Sequence, residues 1–410
     1  MSQNIFYIAN NKIFLLDQTT SKEIKSQVLE DYKQRVCDNV KRKEWKSSES
    51  GAIFTGAAEP EMSAEAALKN IRVSVSSLTK LGNELAYTLA IDNVCGIYTH
   101  NDDSENDGIL ISDSNYKYTH IDRGTYSSVV SASFAGESHI GIISDGRNGC
   151  EFLTEGTSRE RWPSWSKKSA KRILYSGCGL AMPQKAVEEK ERLKSYPAMI
   201  LESFEDYSYI ESPYSIYSID LDSMELTELI SDSSEKFSYI KPYEAADGYI
   251  YYIKKPYNEN KSSGTSFVDI LLSPLRLIGA IFGFLNFFTI KYSGKTLTKN
   301  AGNTKAKNMS EEKLFIDGNI FEAGKELENN RRQGDKFPGA VPRTYQLCRR
   351  LGADGKEEVI KKGVIAYACK DNGEVLCSNG SHLLSLSPNG EGYDEKLVIK
   401  ESAVSFIYID

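Results

Sequence analysis

The stretch "HIGIISDGRNGCEFLTEGTSRERWPSWS", His139 to Ser166, decides how the rest of the chain reads. It runs strand, turn, strand, then Leu-Thr-Glu-Gly, then Pro-Ser-Trp-Ser. A charged spacer follows, and then the short apolar run Ile173-Leu174-Tyr175. Within Thr157 to Ser176 no acid, base or metal ligand is arranged for chemistry; one large ring is kept for packing. The same order of parts recurs. Trp45 in "RKEWKSSESGAIFTGA", Phe134 in "SASFAGESHIGIISDG" and Trp165 each precede a polar spacer of four to seven residues and a short apolar strand. One supersecondary unit used repeatedly predicts a repeat architecture. Trp45, Phe134, Pro163 and Trp165 are its expected core positions.

Outward from this stretch, the chain is mostly short β-rich runs bounded by Gly, Asn, Asp or Ser. "NIFYIANNKIFLLDQ" is the clearest hairpin, because Asn10-Asn11 tolerates the positive φ of a tight turn. "SIYSIDLDSMELTELI" turns at Asp222-Ser223, and the C-terminal region turns at Asn379-Gly380 and Asn389-Gly390. Helical patterns are scarce; "EMSAEAALKN" (61–70) and "PQKAVEEKERLK" (183–194) read as insertions between strands. The last run, "AVSFIYID", matches the first in aromatic and β-branched character, so the two are expected to share a sheet.

The 410 residues carry 40% hydrophobic side chains, enough for a core. A net charge of −7 gives no basic footprint, so nucleic acid is not an expected partner. The 24 tyrosines suit pleated surfaces. Seven cysteines, at 37, 95, 150, 178, 348, 369 and 377, form no metal or disulfide pattern and read as small hydrophobes in a reducing compartment. The N-terminus has neither the basic region nor the continuous apolar run of a signal peptide, which points to the cytoplasm.

Leu153-Thr154 and Pro163-Ser164-Trp165-Ser166 together resemble the repeat of TolB-like β-propellers, with WD-type repeats, over about thirty residues. In that family Leu-Thr closes one blade and Pro-Ser-Trp-Ser-Pro-Asp-Gly opens the next; here Lys167-Lys168-Ser169 replaces Pro-Asp-Gly. The resemblance implies an all-β chain. It implies a single β-propeller over 1–410, of six or seven four-stranded blades, with the termini closing one blade. Insertions are expected at 58–70, 181–197 and 258–312. An open β-sandwich with insertions is the alternative. The resemblance also implies a bacterial interaction protein. TolB proteins themselves are periplasmic and carry a domain ahead of the propeller; this sequence shows no sign of either feature, so the fold and the binding role are what carry over.

The 258–312 insertion is unusual. No charge interrupts Leu277 to Ile290, and Ser273-Pro274 is a good helix start. A helix over 274–288 would be roughly 22 Å long, too short for a bilayer core of ~30 Å. Leu275, Ile278, Ile281, Phe282, Leu285 and Phe288 cover one side, and something must cover them. The propeller's own flank, a protein partner and, through 270–290, a membrane surface are the three candidates. Arg276, Lys291 and Lys295 could meet anionic headgroups.

Searches for chemistry give little. Gly294-Lys295-Thr296 resembles the end of a phosphate loop, but Thr289 stands where the first glycine belongs. Asp103, Glu105 and Asp107 have calcium-loop spacing, yet Ser114 occupies the position of the bidentate glutamate. His100, His120 and His139 could meet in a propeller channel; each reads more simply as a hydrogen-bonded strand residue. No catalytic, cofactor or metal residue is therefore assigned. The expected function is a non-enzymatic protein–protein interaction scaffold whose hydrophobic helix docks on the propeller or on a partner. A channel-mouth lyase or glycan-acting hydrolase and a peripheral membrane sensor are the alternatives.

Overall fold

The computed structural model describes residues 4–17, 20–47, 63–92, 94–101, 106–113, 115–134, 136–145, 149–181, 210–257, 313–316, 319–390 and 392–410. The expected helices at 183–194 and 274–288 lie outside them.

The chain opens with β1 (Ile5–Ala9), β2 (Lys12–Asp17) and β3 (Thr20–Ile24). Asn10 and Asn11 both take positive φ, 51° and 59°, as the hairpin reading requires. Helices α1 (Gln27–Ser47) and α2 (Ala64–Lys69) follow. The Ser63 hydroxyl accepts from the Ala66 N–H and caps α2, inside the segment read as helical. Next come β4 (Val73–Leu81), β5 (Glu84–Ile91), β6 (Val94–Asn101) and β7 (Asn106–Asp113), a four-stranded antiparallel sheet.

Strands β8 (Lys117–Arg123), β9 (Ser127–Phe134), β10 (Glu137–Ser144) and β11 (Glu151–Phe152) form one meander. A second meander contains β12 (Ser158–Trp165), β13 (Arg172–Ala181), β15 (Ser215–Asp220) and β16 (Glu225–Ile230), with the short β14 (Ile210–Glu211) on β13. Then come β17 (Phe237–Glu244) and β18 (Tyr249–Pro256), the separate ribbon β19 (Lys313–Ile316) with β20 (Asn319–Glu322), and α3 (Ala323–Arg332). Strands β21 (Gln346–Leu351) and β22 (Glu358–Lys362) complete the sheet begun by β17 and β18. The last sheet is β23 (Ala366–Cys369), β24 (Val375–Ser378), β25 (Leu383–Asn389) and β26 (Gly392–Ile399). Finally β27 (Val404–Ile409) pairs antiparallel with β1, so the first and last strands share a sheet in the order β27-β1-β2-β3.

The sheets form a β-propeller. The first strands of successive sheets pack on one another, β27 on β4, β4 on β8, β8 on β12 and β12 on β17, while β23 returns to β27. The gap between β17 and β23 is bridged by the Tyr367 hydroxyl, which donates to the Lys241 carbonyl. This ring excludes the open sandwich. The blade count differs from expectation. Among the described residues four separate four-stranded blades are present rather than six or seven, and the two meanders over β8–β16 are one nine-stranded sheet. The merger occurs because β10 and β12 share a parallel pair, Ser138 opposite Arg159.

Neighbouring sheets, and the two meanders of the nine-stranded sheet, are glued face to face by apolar clusters. Phe6, Ile8 and Ile13 meet Leu78, Leu89 and Tyr98; Val129 and Ile140 meet Trp165 and Ile173; Val404 and Ile407 meet Ile365 and Leu376. Each fully buried aliphatic side chain contributes about 1.5–3 kcal/mol. Helix α1 belongs to this packing: Val28, Leu29 and Tyr32 lie on the cluster between the first two sheets. The sequence reading placed a blade opening at Trp45. The chain instead puts Trp45 near the end of a 21-residue helix, so it does not begin a strand.

Candidate functional site

All the innermost strands except β23 share a local distortion. Register breaks fall between Val75 and Leu78 in β4, Tyr118 and His120 in β8, Arg161 and Ser164 in β12, and Ile240 and Tyr243 in β17. In β27, Ser405 is the extra residue. A bulge of this kind bends the strand and re-aims side chains. Trp162 and Lys241 take positive φ, 53° and 57°, each directly before a proline, Pro163 and Pro242.

These bulges let one blade bond to the next. Ser76 Oγ donates to the Thr119 carbonyl at 2.7 Å and Ser77 Oγ to the Ile121 carbonyl at 3.1 Å. The Trp165 N–H donates to Asp122 Oδ2 at 2.7 Å, and Ser164 Oγ donates to the Pro242 carbonyl at 2.7 Å. Ser166 Oγ reaches the buried Glu244 carboxylate at 2.6 Å, which also accepts from Arg172 at 3.2 Å. Lys241 Nζ crosses to the Ile365 and Ser405 carbonyls at 3.0 and 3.1 Å. Burial raises the pKa of Asp122, and the N–H groups of Trp165 and Arg123 with the Lys167 charge oppose that rise. The Pro-Ser-Trp-Ser stretch is thus a joint: Pro163 and Trp165 are buried, and each polar residue in it reaches a neighbouring strand.

A second polar centre surrounds Glu160, which is 2% exposed. Its carboxylate accepts from Ser158 Oγ at 2.5 Å and Thr154 Oγ1 at 3.0 Å, and it bonds His139 Nδ1 at 3.0 Å. Its carbonyl accepts from Ser131 and Ser138. Burial opposes a charged His139, but Glu160 and then Glu137 outweigh it and raise the imidazole pKa. Thr154, from the Leu-Thr pair, therefore closes one meander onto the first strand of the next. Sequence reasoning missed Glu160; its position between Thr154 and the Pro-Ser-Trp-Ser run was the available signal. The adjoining cavity, lined by Ser158, Glu160, Tyr175 and Cys178 among others, is only about 30 Å³, room for a water.

The other expected positions are dispersed. His100 bonds Asp107 at 2.8 Å, His120 bonds Thr119 at 3.0 Å, and His139 belongs to Glu160, so the three do not converge. Among the described residues no group of His, Cys, Asp and Glu could hold a metal. Asp107, expected at a calcium-loop spacing, stands in strand β7. Its carboxylate is buried, accepts from the Val28 N–H, Ser26 Oγ and Tyr87 hydroxyl, and pins the start of α1. Asp103, Glu105 and Ser114 lie outside the described residues, as do Thr289, Gly294, Lys295 and Thr296. The expected partner-binding residues, Leu275, Ile278, Ile281, Phe282, Leu285 and Phe288, lie outside them too. Phe134 ends β9, 39% exposed, with its ring against Tyr116. All described cysteines are free, and burial pushes the Cys377 thiol up to about 12.

Connectivity distinguishes the two ends of the ring. Antiparallel strands alternate direction, so connections after the second and fourth strands of each sheet emerge at one end. The strand ends that flank the long connections all lie there: Ile24 and Val73, Ala181 and Ile210, and Pro256 and Gln346. The opposite end has short turns, such as 82–83 and 124–126. Among the described residues no helix is long and apolar enough to cross a membrane.

The closed ring with bulged inner strands, joined at Thr154 and the Pro-Ser-Trp-Ser run, defines a β-propeller. No family model matches the sequence, and no characterised protein matches it at the sequence level. Among solved structures, the chain is similar to TolB from Acinetobacter baumannii, with a TM-score of 0.47 and 9% identity over 99% of this chain and 65% of that one. It therefore spans less than two thirds of that TolB. A chain of a nidogen/laminin complex gives a TM-score of 0.47 at 6% identity, covering 100% of this chain and 98% of that chain. A puromycin-hydrolyzing peptidase from Mycobacterium tuberculosis gives 0.37 at 11% identity, covering 78% and 46%. These likenesses concern the fold alone.

Proposed function

We propose that the chain is a non-enzymatic protein–protein interaction scaffold, a single propeller domain over 1–410 that carries its partner site on the insertion-bearing end. The observation that carries this reading is the asymmetry of the ring. Long connections collect at one end of a rigid disc, where loops supply function and the scaffold supplies position. Leu275, Ile278, Ile281, Phe282, Leu285 and Phe288, within the 258–312 insertion, are the proposed docking side chains, and the cytoplasm is the proposed location. The enzymatic alternative requires two carboxylates about 5–9.5 Å apart across a cleft, or converging histidines with a metal. Glu160 does not meet this: both its oxygens are bonded and its cavity is one water in size.

Deleting 265–300 tests the proposal. The shortened chain should keep its far-UV spectrum and unfolding midpoint yet lose the protein that the full chain captures from native extract. Capture that survives the deletion would sink the idea. Flotation on anionic liposomes, with and without Phe282→Ser and Phe288→Ser, separates protein docking from membrane docking.

A further inference from the structure

The buried groups without a hydrogen-bond partner among the described residues include Arg161 Nε and Trp162 Nε1, where β8, β12 and β17 meet. These two are close together. The Arg161 guanidinium carbon lies 5.9 Å from the Trp162 ring centre, and the His120 and Tyr214 rings pack edge-on against that indole at 5.6 Å. Trp162 is only 9% exposed, so water does not freely satisfy its N–H. Nearby arginines are engaged: Arg159 pairs with Glu211 and Arg172 with Glu244. Among the described residues the Arg161 side chain has no hydrogen bond or ion pair; its charge lies near the Cys178 thiol and the Tyr214 hydroxyl. A half-buried guanidinium beside an orphaned indole N–H is costly unless an acceptor arrives.

The backbone supports the same reading. Trp162 holds a left-handed φ of 53°, a conformation that costs a bulky residue about 1–3 kcal/mol and that gathers at ligand clamps. At the matching bulge one blade on, Lys241 holds φ 57° and its ammonium finds two carbonyls. That bulge delivers a donor to acceptors already present; the bulge at Trp162 delivers a donor to none among the described residues.

We propose that Arg161 and Trp162 form a carboxylate-binding site. The guanidinium fork matches a planar carboxylate, and one positive charge with one neutral donor balances a single negative charge better than a phosphate dianion. The site stands independently of the 258–312 segment, so its test and that of the partner surface fail separately. The carboxylate can belong to a small acid or to a peptide C-terminus.

Indole-¹⁵N labelling of the full chain gives three tryptophan signals, from Trp45, Trp162 and Trp165. At constant ionic strength, sodium acetate and Ala-Ala-Ala with a free C-terminus should move one of them, and C-terminally amidated Ala-Ala-Ala should not. Trp162→Phe identifies the moving signal by its loss. Arg161→Gln should abolish the shift, and Arg161→Lys, which keeps charge and fold, should weaken it at least about tenfold. Tighter binding of the peptide than of acetate assigns the ligand to a chain terminus; equal binding assigns a small acid. No shift with either acid, an equal response to the amide, or an unchanged titration in Arg161→Lys overturns the proposal.

Discussion

Trp165 shows how a single residue serves the ring. Its indole packs among Val129, Ile140, Ile173 and Ile219 while its backbone N–H fixes Asp122 of the previous meander. Trp165→Ala should cost about 3–5 kcal/mol, read as a lowered denaturation midpoint. The ring needs Gly124 opposite, because a Cβ there would sit 2.7 Å from Trp165 Cε2. Gly124→Ala should therefore cost about 1–3 kcal/mol through overpacking; an unchanged midpoint would refute the close contact. His139 is the pH-sensitive residue of the joint. Its raised pKa means the folded chain holds the proton more tightly than the unfolded chain does. The stabilisation is full below about pH 6.5 and disappears as pH climbs through the folded value. The stability difference between wild type and His139→Gln should shrink over that rise; a flat difference would dissociate Glu160 from His139. Of these residues, Trp165 was legible because a lone large ring in a strand-opening motif has few uses. Glu160 was not: a glutamate flanked by two arginines reads as a solvated charge until the fold buries it.

Among the elements, α1 is the one that sequence reading lost. Val28, Tyr32, Val36 and Val40 recur every four residues, a helical signal, but Trp45 as a position of the repeated unit assigned the region to a blade. What holds α1 is remote in sequence. Asp107 receives its first turn, and Tyr32 donates to Asp92 at 2.8 Å. Asp107→Ala would strip a cap worth about 0.5–2 kcal/mol and leave Tyr87, Ser26 and His100 short of a partner. Hydrogen exchange should then accelerate across 27–47 while the β4–β7 sheet stays protected. Protection that persists in α1 would show that its apolar face alone retains it.

For the whole molecule, closure is the decisive contact. Strand β27 brings Val404 and Ile407 to the first sheet and covers the edge of β1. Removing 404–410 exposes that edge and forfeits two buried aliphatic side chains, about 3–6 kcal/mol together. The truncated chain should unfold at lower denaturant and associate through β1, measured by light scattering. A monomer of unchanged stability would show that the ring does not depend on this strand.

The sequence alone determined the strand-and-turn character, the Asn10-Asn11 hairpin, the pairing of first and last runs and the joint at Pro163–Ser166. Those features are local: they follow from φ preference, alternation and the packing of one ring. Only the tertiary structure decided the number of separate sheets, because one parallel pair at Ser138 and Arg159 merges two meanders. It also decided which charges are buried and which donors lack acceptors. Those properties belong to residues far apart in sequence, and no spacing along the chain encodes the distance between them.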